Sequence, residues 1–131
     1  MKKAIICVDD ELIILDSILE QLSRTFGSLY TIEGAQNAQE AFEIIDEFIE
    51  EGIDLVLIIS DWLMPGMKGD EFLIKVHEKL PKCRKILLTG LAPVEAVENV
   101  KKNAELLAYI EKPWLEEELI ASIKKAIESE S

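Results

Sequence analysis

Five short apolar runs alternate with segments of helical periodicity, and this alternation restricts the chain to few folds. The runs, rich in Ile, Val and Leu, cover residues 4–8, 30–32, 55–59, 86–88 and 106–110. Their length and composition predict strands. The first, third and fourth runs show no polar alternation, which is typical of strands covered on both faces in a parallel sheet.

The segments between the runs place apolar residues three to four positions apart, as amphipathic helices do. Two of these segments cover residues 12–26 and 38–49. Further helices are predicted at 72–80, ended by Pro81, at 93–102, opened by Pro93, and at 115–127. Because strand and helix alternate five times, the right-handed crossover rule predicts a doubly wound α/β domain with helices on both faces of a parallel sheet.

The length of 131 residues fits one globular domain over residues 1–131, with 129–131 as a candidate start of a linker. No apolar run approaches the roughly 20 residues of a membrane-spanning helix. The N-terminus lacks the apolar stretch of a secretory signal, so a cytoplasmic location is expected. The net charge of −12 disfavours direct binding of nucleic acid. Cys7 and Cys83 are isolated, which indicates ordinary thiols rather than a disulfide or zinc site.

Polar residues that carry chemistry follow four of the predicted strands. Asp9 and Asp10 come after the first, Asp61 after the third, Thr89 at the end of the fourth and Lys112 after the fifth. Ligands of doubly wound folds bind at the carboxyl ends of the strands. We therefore expect these five side chains to converge.

Three clustered carboxylates raise one another's pKa unless a cation lies between them. Oxygen ligands without His or Cys favour Mg²⁺, with Mn²⁺ as an alternative. With Lys112 as a second cation and Thr89 as a donor, the set suits phosphoryl transfer to Asp61. Asp9, Asp10 and Glu11 are also typical of a helix N-terminus. The conjunction at four strand ends favours the functional interpretation.

Four motifs resemble the receiver domain of response regulators in bacterial two-component signalling, and together they extend over essentially the whole chain. They are VDDE at 8–11, SDWLMPGMKG at 60–69, LTG at 88–90 and YIEKP at 109–113. The resemblance implies a (βα)5 flavodoxin-like domain with strand order 2-1-3-4-5.

The resemblance also assigns roles in the site. It makes Asp61 the phosphoacceptor and makes Asp10 and Asp61 direct Mg²⁺ ligands. The Leu63 backbone carbonyl completes these ligands, and Asp9 holds a water of the metal. Lys112 would pair with a phosphoryl oxygen.

Three further features follow from the same resemblance. Lys112–Pro113 would be a cis peptide, and the small Gly90 would leave room for the phosphoryl group. Thr89 and Tyr109 would relay phosphorylation to the face formed by the fourth helix, last strand and last helix.

The implied partners are a sensor histidine kinase or phosphotransfer protein as donor and a downstream output domain or effector as reader. A phosphorylation-dependent homodimer is left open. The protein would be a signalling phosphoacceptor rather than an enzyme, although it would promote its own phosphotransfer and dephosphorylation. Apolar Leu63 and Leu91 replace polar residues of many relatives, so the dephosphorylation rate stays open. Trp114 replaces the more usual Phe and is expected to change packing only.

Two alternative functions are a non-phosphorylated scaffold and an aspartyl-phosphate phosphatase of the haloacid dehalogenase type. The phosphatase is disfavoured because its second acid would stand where Leu63 is. His77 is expected at the surface or at a boundary, and Gly66 and Gly69 are expected to give a loop its backbone freedom. Trp62, expected to be exposed, suits a partner contact or lid as well as loop packing.

Overall fold

In a computed structural model that describes residues 2–90 and 92–128, five strands and five helices alternate along the chain. Among these residues no helix has the length and apolar character needed to cross a membrane. The elements are β1 (Lys3–Val8), α1 (Leu12–Phe26), β2 (Thr31–Ala35), α2 (Ala38–Glu51), β3 (Asp54–Ser60), α3 (Gly69–Lys79), β4 (Arg84–Thr89), α4 (Val94–Ala104), β5 (Ala108–Glu111) and α5 (Glu116–Glu128).

All strand pairs are parallel, and the sheet order is β2-β1-β3-β4-β5. The doubly wound fold and its order 2-1-3-4-5 are thus confirmed. Side chains on opposite faces of the sheet enter two separate cores. Ile6 and Val8 of β1 belong to the core that also holds residues of α2, α3 and α4, whereas Ile5 and Cys7 belong to the core with α1 and α5.

Several of the predicted strand boundaries are wrong. β2 does not stop at residue 32 but continues to Ala35, because its backbone pairs with β1 as far as Val8 whatever the polarity of its side chains. β5 starts at Ala108 rather than 106, because the chain first leaves α4 through Glu105 in a left-handed conformation, with φ 53°. β4 likewise extends beyond its predicted run at 86–88, from Arg84 to Thr89, so apolar runs locate the strands but do not fix their ends.

The helices agree with their predicted periodicity, but α3 begins earlier, at Gly69, and includes the acidic residues Asp70 and Glu71 in its first turn. Negative charge is favourable at a helix N-terminus, so these acids belong to the helix despite breaking the apolar pattern. The linker suggested at 129–131 lies outside the described residues.

Candidate functional site

Backbone hydrogen bonds of the sheet continue one residue beyond the ends of three strands and hold the backbone of the site residues in place. The Asp9 N–H donates to the Ala35 carbonyl oxygen at 3.1 Å, and the Asp61 N–H donates to Val8 at 2.9 Å. The Lys112 N–H donates to the Thr89 carbonyl oxygen at 3.3 Å. The side chains after three strands are therefore held on rigid backbone at one edge of the sheet.

The Lys112 ammonium joins two buried carboxylates. Its Nζ donates to Asp9 Oδ2 at 2.6 Å and to Asp61 Oδ2 at 3.3 Å. Asp9 is 1% exposed and Asp61 5%, so both contacts lie away from bulk water. Hydrogen bonds between charged partners are short and strong in such surroundings.

The pKa shifts show how these charges balance. Burial acts to lower the pKa of Lys112, but the Asp9 hydrogen bond and the charges of Asp61 and Asp9 outweigh burial and raise it. Burial raises the pKa of Asp9, against the hydrogen bonds from Lys112 and from the Glu11 N–H, and the Asp61 charge adds to the rise. The ammonium of Lys112 thus does not fully offset the cost of burying the Asp9 carboxylate.

Beside these residues, a cavity of about 200 Å³ opens at the carboxyl edge of the sheet. Its lining residues are Asp10, Glu11, Asp61, Leu63, Thr89, Gly90 and Lys112. The predicted residues therefore meet at this cavity, with Asp9 reached through Lys112. The predicted metal ligand Asp10 is not in the cluster of carboxylates whose oxygens lie within 4.8 Å of one another. Asp10 is exposed, whereas Thr89 is buried.

Glu11 is a site residue that the sequence reasoning missed. One carboxylate oxygen each of Asp9, Glu11 and Asp61 lie within 4.8 Å of one another. The Glu11 N–H donates to Asp9 Oδ1 at 2.9 Å, while the Glu11 side chain makes no capping hydrogen bond to α1. The sequence pattern alone indicated that Glu11 is part of a helix N-terminus. The feature that could have identified it as a site residue is its position as the third consecutive acidic residue after a strand end.

This donor set fits Mg²⁺. The clustered ligand atoms are all carboxylate oxygens, which hard divalent cations prefer, and a cation would relieve the buried negative charge that Lys112 leaves. The chemistry of the residues therefore agrees with the predicted metal.

The loop after Asp61 is anchored at both ends. The Trp62 N–H donates to Asp61 Oδ1 at 2.8 Å, and the indole Nε1 donates to Asp70 Oδ1 at 3.1 Å. The Lys68 ammonium lies 5.6 Å from the centroid of the Trp62 ring. Trp62 is half-buried and packs against the core, so the prediction that it is exposed is wrong.

Two glycines shape the same loop for different reasons. Gly66 has φ 82°, a left-handed conformation that disfavours other residues. Gly69 is required by close approach: its N–H donates to the Trp62 carbonyl oxygen at 2.8 Å, and a Cβ there would overlap the Asp61 carbonyl oxygen and lie 2.7 Å from Trp62 Cα. Backbone freedom was therefore the right explanation for Gly66 only.

The switch candidates lie on neighbouring strands. Thr89 is 2% exposed at the cavity, and Tyr109 is half-buried against the core shared by α2, α3 and α4. Burial, together with the Glu111 charge, raises the pKa of Tyr109. Thr89 therefore lies at the cavity and Tyr109 on the adjacent strand, and their role as a relay stays a prediction.

The segment after β5 contains the predicted cis peptide, which is confirmed at Lys112–Pro113. Trp114 packs against the core of α1 and α5 and donates from Nε1 to Gln21 Oε1 at 2.9 Å. Leu63 is 46% exposed at the cavity, whereas Leu91 lies outside the described residues.

His77 and the two cysteines, to which the sequence assigns no role in the site, lie partly or fully buried. His77 is half-buried, as expected for a boundary position, with Nδ1 2.9 Å from Lys85 Nζ. Cys7 and Cys83 are buried thiols, and burial raises the pKa of Cys7 to about 12.

Comparison with known proteins finds relatives that match nearly the whole length of this chain. The family model described as "Response regulator receiver domain" matches residues 5–124. The "Hydrogenase transcriptional regulatory protein HoxA" of Cupriavidus necator is 29% identical over 96% of this chain. The "Uncharacterized transcriptional regulatory protein YesN" of Bacillus subtilis is 32% identical over 94% of it. The aligned part spans only 24% and 32%, respectively, of these two relatives.

A similar solved structure is the response regulator receiver domain protein (CheY-like) from Methanospirillum hungatei JF-1. It superposes with a TM-score of 0.85 at 32% identity and covers 99% of this chain and 97% of that one. The similarity therefore includes the complete strand and helix order.

Proposed function

Because this chain belongs to the response regulator receiver domain family, we propose that it is the phosphoacceptor switch of a two-component phosphorelay, in which Asp61 receives a phosphoryl group from a histidine kinase or phosphotransfer protein. The observation that carries this proposal is the position of Asp61, paired with Lys112 at 3.3 Å beside the carboxylates of Asp9 and Glu11. A nucleophile, an ammonium and a set of cation ligands thus share one cavity.

Mg²⁺ is the cofactor of this proposal, with Mn²⁺ as an alternative. Asp10, Asp61 and the Leu63 carbonyl would be direct ligands, Asp9 would act through a water, and Glu11 adds a further carboxylate to the set. When bound, the metal neutralises the clustered carboxylates and the oxygens of the incoming phosphoryl group.

The transfer itself needs few protein groups. A carboxylate oxygen of Asp61 attacks the phosphorus of a phosphohistidine, an O–P bond forms and the P–N bond breaks. The bonding electrons return to the imidazole nitrogen, and the donor leaves as neutral histidine once its ring carries one proton. Lys112 lies beside Asp61 Oδ2 and would donate to a phosphoryl oxygen as negative charge arrives.

Loss of the phosphoryl group to water would receive no help from the residue two positions after Asp61. The Leu63 side chain, 46% exposed at the cavity, offers no proton acceptor to an attacking water. We infer that the domain is a signalling phosphoacceptor that promotes its own phosphotransfer and dephosphorylation.

Output would begin at Thr89, whose hydroxyl moves toward the phosphoryl oxygens, with the Tyr109 ring filling the space that it leaves. The charged phosphoryl group shifts the population toward the conformer that surrounds it with donors. The face formed by α4, β5 and α5 would then present a changed surface to an effector. The alternative partner for this face is a second copy of the chain.

The whole protein's partners are part of this proposal. The curated relatives are transcriptional regulators by name and extend well beyond the matched region. An output domain or separate effector is therefore the expected reader, while the net charge of −12 argues against direct DNA contact by this domain. A cytoplasmic location belongs to the same proposal.

Incubation with Mg²⁺ and acetyl phosphate, followed by intact mass measurement, tests the phosphoacceptor. The parent should gain the mass of one phosphoryl group, and Asp61→Asn should gain none. Asp54→Asn is the matched control, because Asp54 begins the same strand at its opposite end and is exposed. Equal labelling of Asp61→Asn and the parent would contradict the assignment, and a parent that stays unlabelled with a phosphorylated kinase as donor would support the scaffold alternative.

A further inference from the structure

A chain of hydrogen bonds leads from the phosphoacceptor to helix α4. Trp62 bonds Asp61 Oδ1 through its N–H at 2.8 Å and Asp70 Oδ1 through its indole Nε1 at 3.1 Å. The other oxygen of Asp70 accepts from Asn99 Nδ2 at 3.3 Å, and Asn99 Oδ1 accepts from Asn103 Nδ2 at 2.7 Å. The contacts join β3, the following loop, α3 and α4.

The direction of these bonds is fixed by the chemistry of their members. An ionised carboxylate only accepts, and an indole N–H only donates. Asp70 lies in the first turn of α3, and each of its carboxylate oxygens accepts one hydrogen bond, from Trp62 Nε1 and from Asn99 Nδ2. Asn99 must therefore turn its amide nitrogen toward Asp70 and its oxygen toward Asn103.

The start of α3 is also tied rigidly to the loop. Gly69 donates to the Trp62 carbonyl oxygen at 2.8 Å and lies so close to the backbone of Asp61 and Trp62 that no Cβ fits. A displacement of the Trp62 backbone therefore moves Asp70 as well, because packed segments without free space shift together.

We propose that Asp70 is a positioning residue that couples the state of Asp61 to helix α4 through Trp62 and Asn99. This inference rests on the proposed phosphoacceptor function. A phosphoryl group on Asp61 changes the acceptor of the Trp62 N–H, and the indole, Asp70 and Asn99 transmit the change. The connection runs through the β3–α3 loop and is separate from the Thr89 and Tyr109 side chains on β4 and β5.

The test compares α4 with and without beryllofluoride, a phosphoryl mimic, in the presence of Mg²⁺. Fluorine NMR measures occupancy of Asp61, and amide hydrogen exchange over Val94–Ala104 measures the response. Asn99→Asp sets a carboxylate against Asp70 without changing side-chain size. It should reduce the beryllofluoride-induced change in exchange by at least about twofold at full occupancy.

Two further variants make the comparison specific. Lys101→Gln changes the charge of α4 by the same amount as Asn99→Asp, at an exposed position, and should respond as the parent does. The double variant D70N/N99D exchanges acceptor and donor: Asn at 70 accepts from the indole and donates to Asp at 99. It should restore the parent's response.

Each outcome bears on a different claim. A full α4 response in Asn99→Asp at full occupancy would overturn the coupling, and so would a double variant that is folded by its thermal melt yet stays uncoupled. No occupancy in the parent would overturn the phosphoacceptor function and the coupling with it. Reduced response in Asn99→Asp, with rescue by the exchange, supports Asp70 as the link.

Discussion

Replacing Gly69 by Ala should destabilise the domain through one identifiable contact. The added Cβ would overlap the Asp61 carbonyl oxygen and lie 2.7 Å from Trp62 Cα. Both obstacles are backbone atoms held by the sheet and by the Gly69–Trp62 hydrogen bond at 2.8 Å, so no flexible side chain can move aside. Overpacking of this kind costs about 1–3 kcal/mol.

That cost is measurable by thermal or denaturant unfolding. For a domain of this size, 1 kcal/mol lowers the Tm by about 4 °C, so Gly69→Ala should melt about 4–12 °C below the parent. Its labelling by acetyl phosphate should also slow, because the strained backbone carries Asp61 itself.

Two other glycines provide controls with known surroundings. At Gly90 a Cβ would meet Lys112 only at 3.8 Å, so Gly90→Ala should leave the Tm near that of the parent. At Gly52 nothing lies within 4 Å, but φ is 72°, so Gly52→Ala should cost about 1–2 kcal/mol through the backbone alone. A Gly69→Ala domain as stable as Gly90→Ala would refute the close-approach argument.

Two further predictions concern buried cations. Lys112→Met leaves Asp9 and Asp61 without their shared ammonium, so the free energy of unfolding in urea without Mg²⁺ should fall by about 3 kcal/mol. Added Mg²⁺ should recover part of this loss. An unchanged urea midpoint would contradict the stabilising role of the ion pairs. Burial lowers the pKa of Lys85 from 10.5, so the unfolded chain binds more protons at this residue, and the contribution of Lys85 to stability should rise with pH up to about that value. Lys85→Met should lack this rise when urea midpoints at neutral and alkaline pH are compared, and equal pH dependence would count against it.

Much of the fold was predictable because buried parallel strands have an unmistakable sequence pattern. The runs at 4–8, 55–59 and 86–88, which form the centres of β1, β3 and β4, are apolar throughout because both faces of these strands are buried. β2 and β5 lie at the sheet's ends, where one neighbour suffices and polar residues are tolerated. Their limits depend on backbone pairing, which leaves little trace in composition.

The site was predictable to the extent that strand ends determine it. Asp9, Asp61 and Lys112 each follow a strand directly, and hydrogen bonds of the sheet place them. Glu11 and the Trp62–Asp70–Asn99 contacts depend on side-chain directions beyond the strand ends. Acidic residues are also common at helix N-termini, so their spacing in the sequence could not distinguish a capping residue from a metal ligand or a coupling residue.

The electrostatics of the site also predict that its stability and its chemistry depend on the same cation. Three carboxylates lie together, the one ammonium pairs with two of them, and burial disfavours the charged form of Asp9. An apolar group in place of Asp9 would relieve this cost, but it would also remove a ligand. Folding alone would not select such a cluster. A bound divalent cation would lower the energy of the folded state and would prepare Asp61 for an incoming phosphoryl group, so variants that weaken cation binding should lose stability and labelling together.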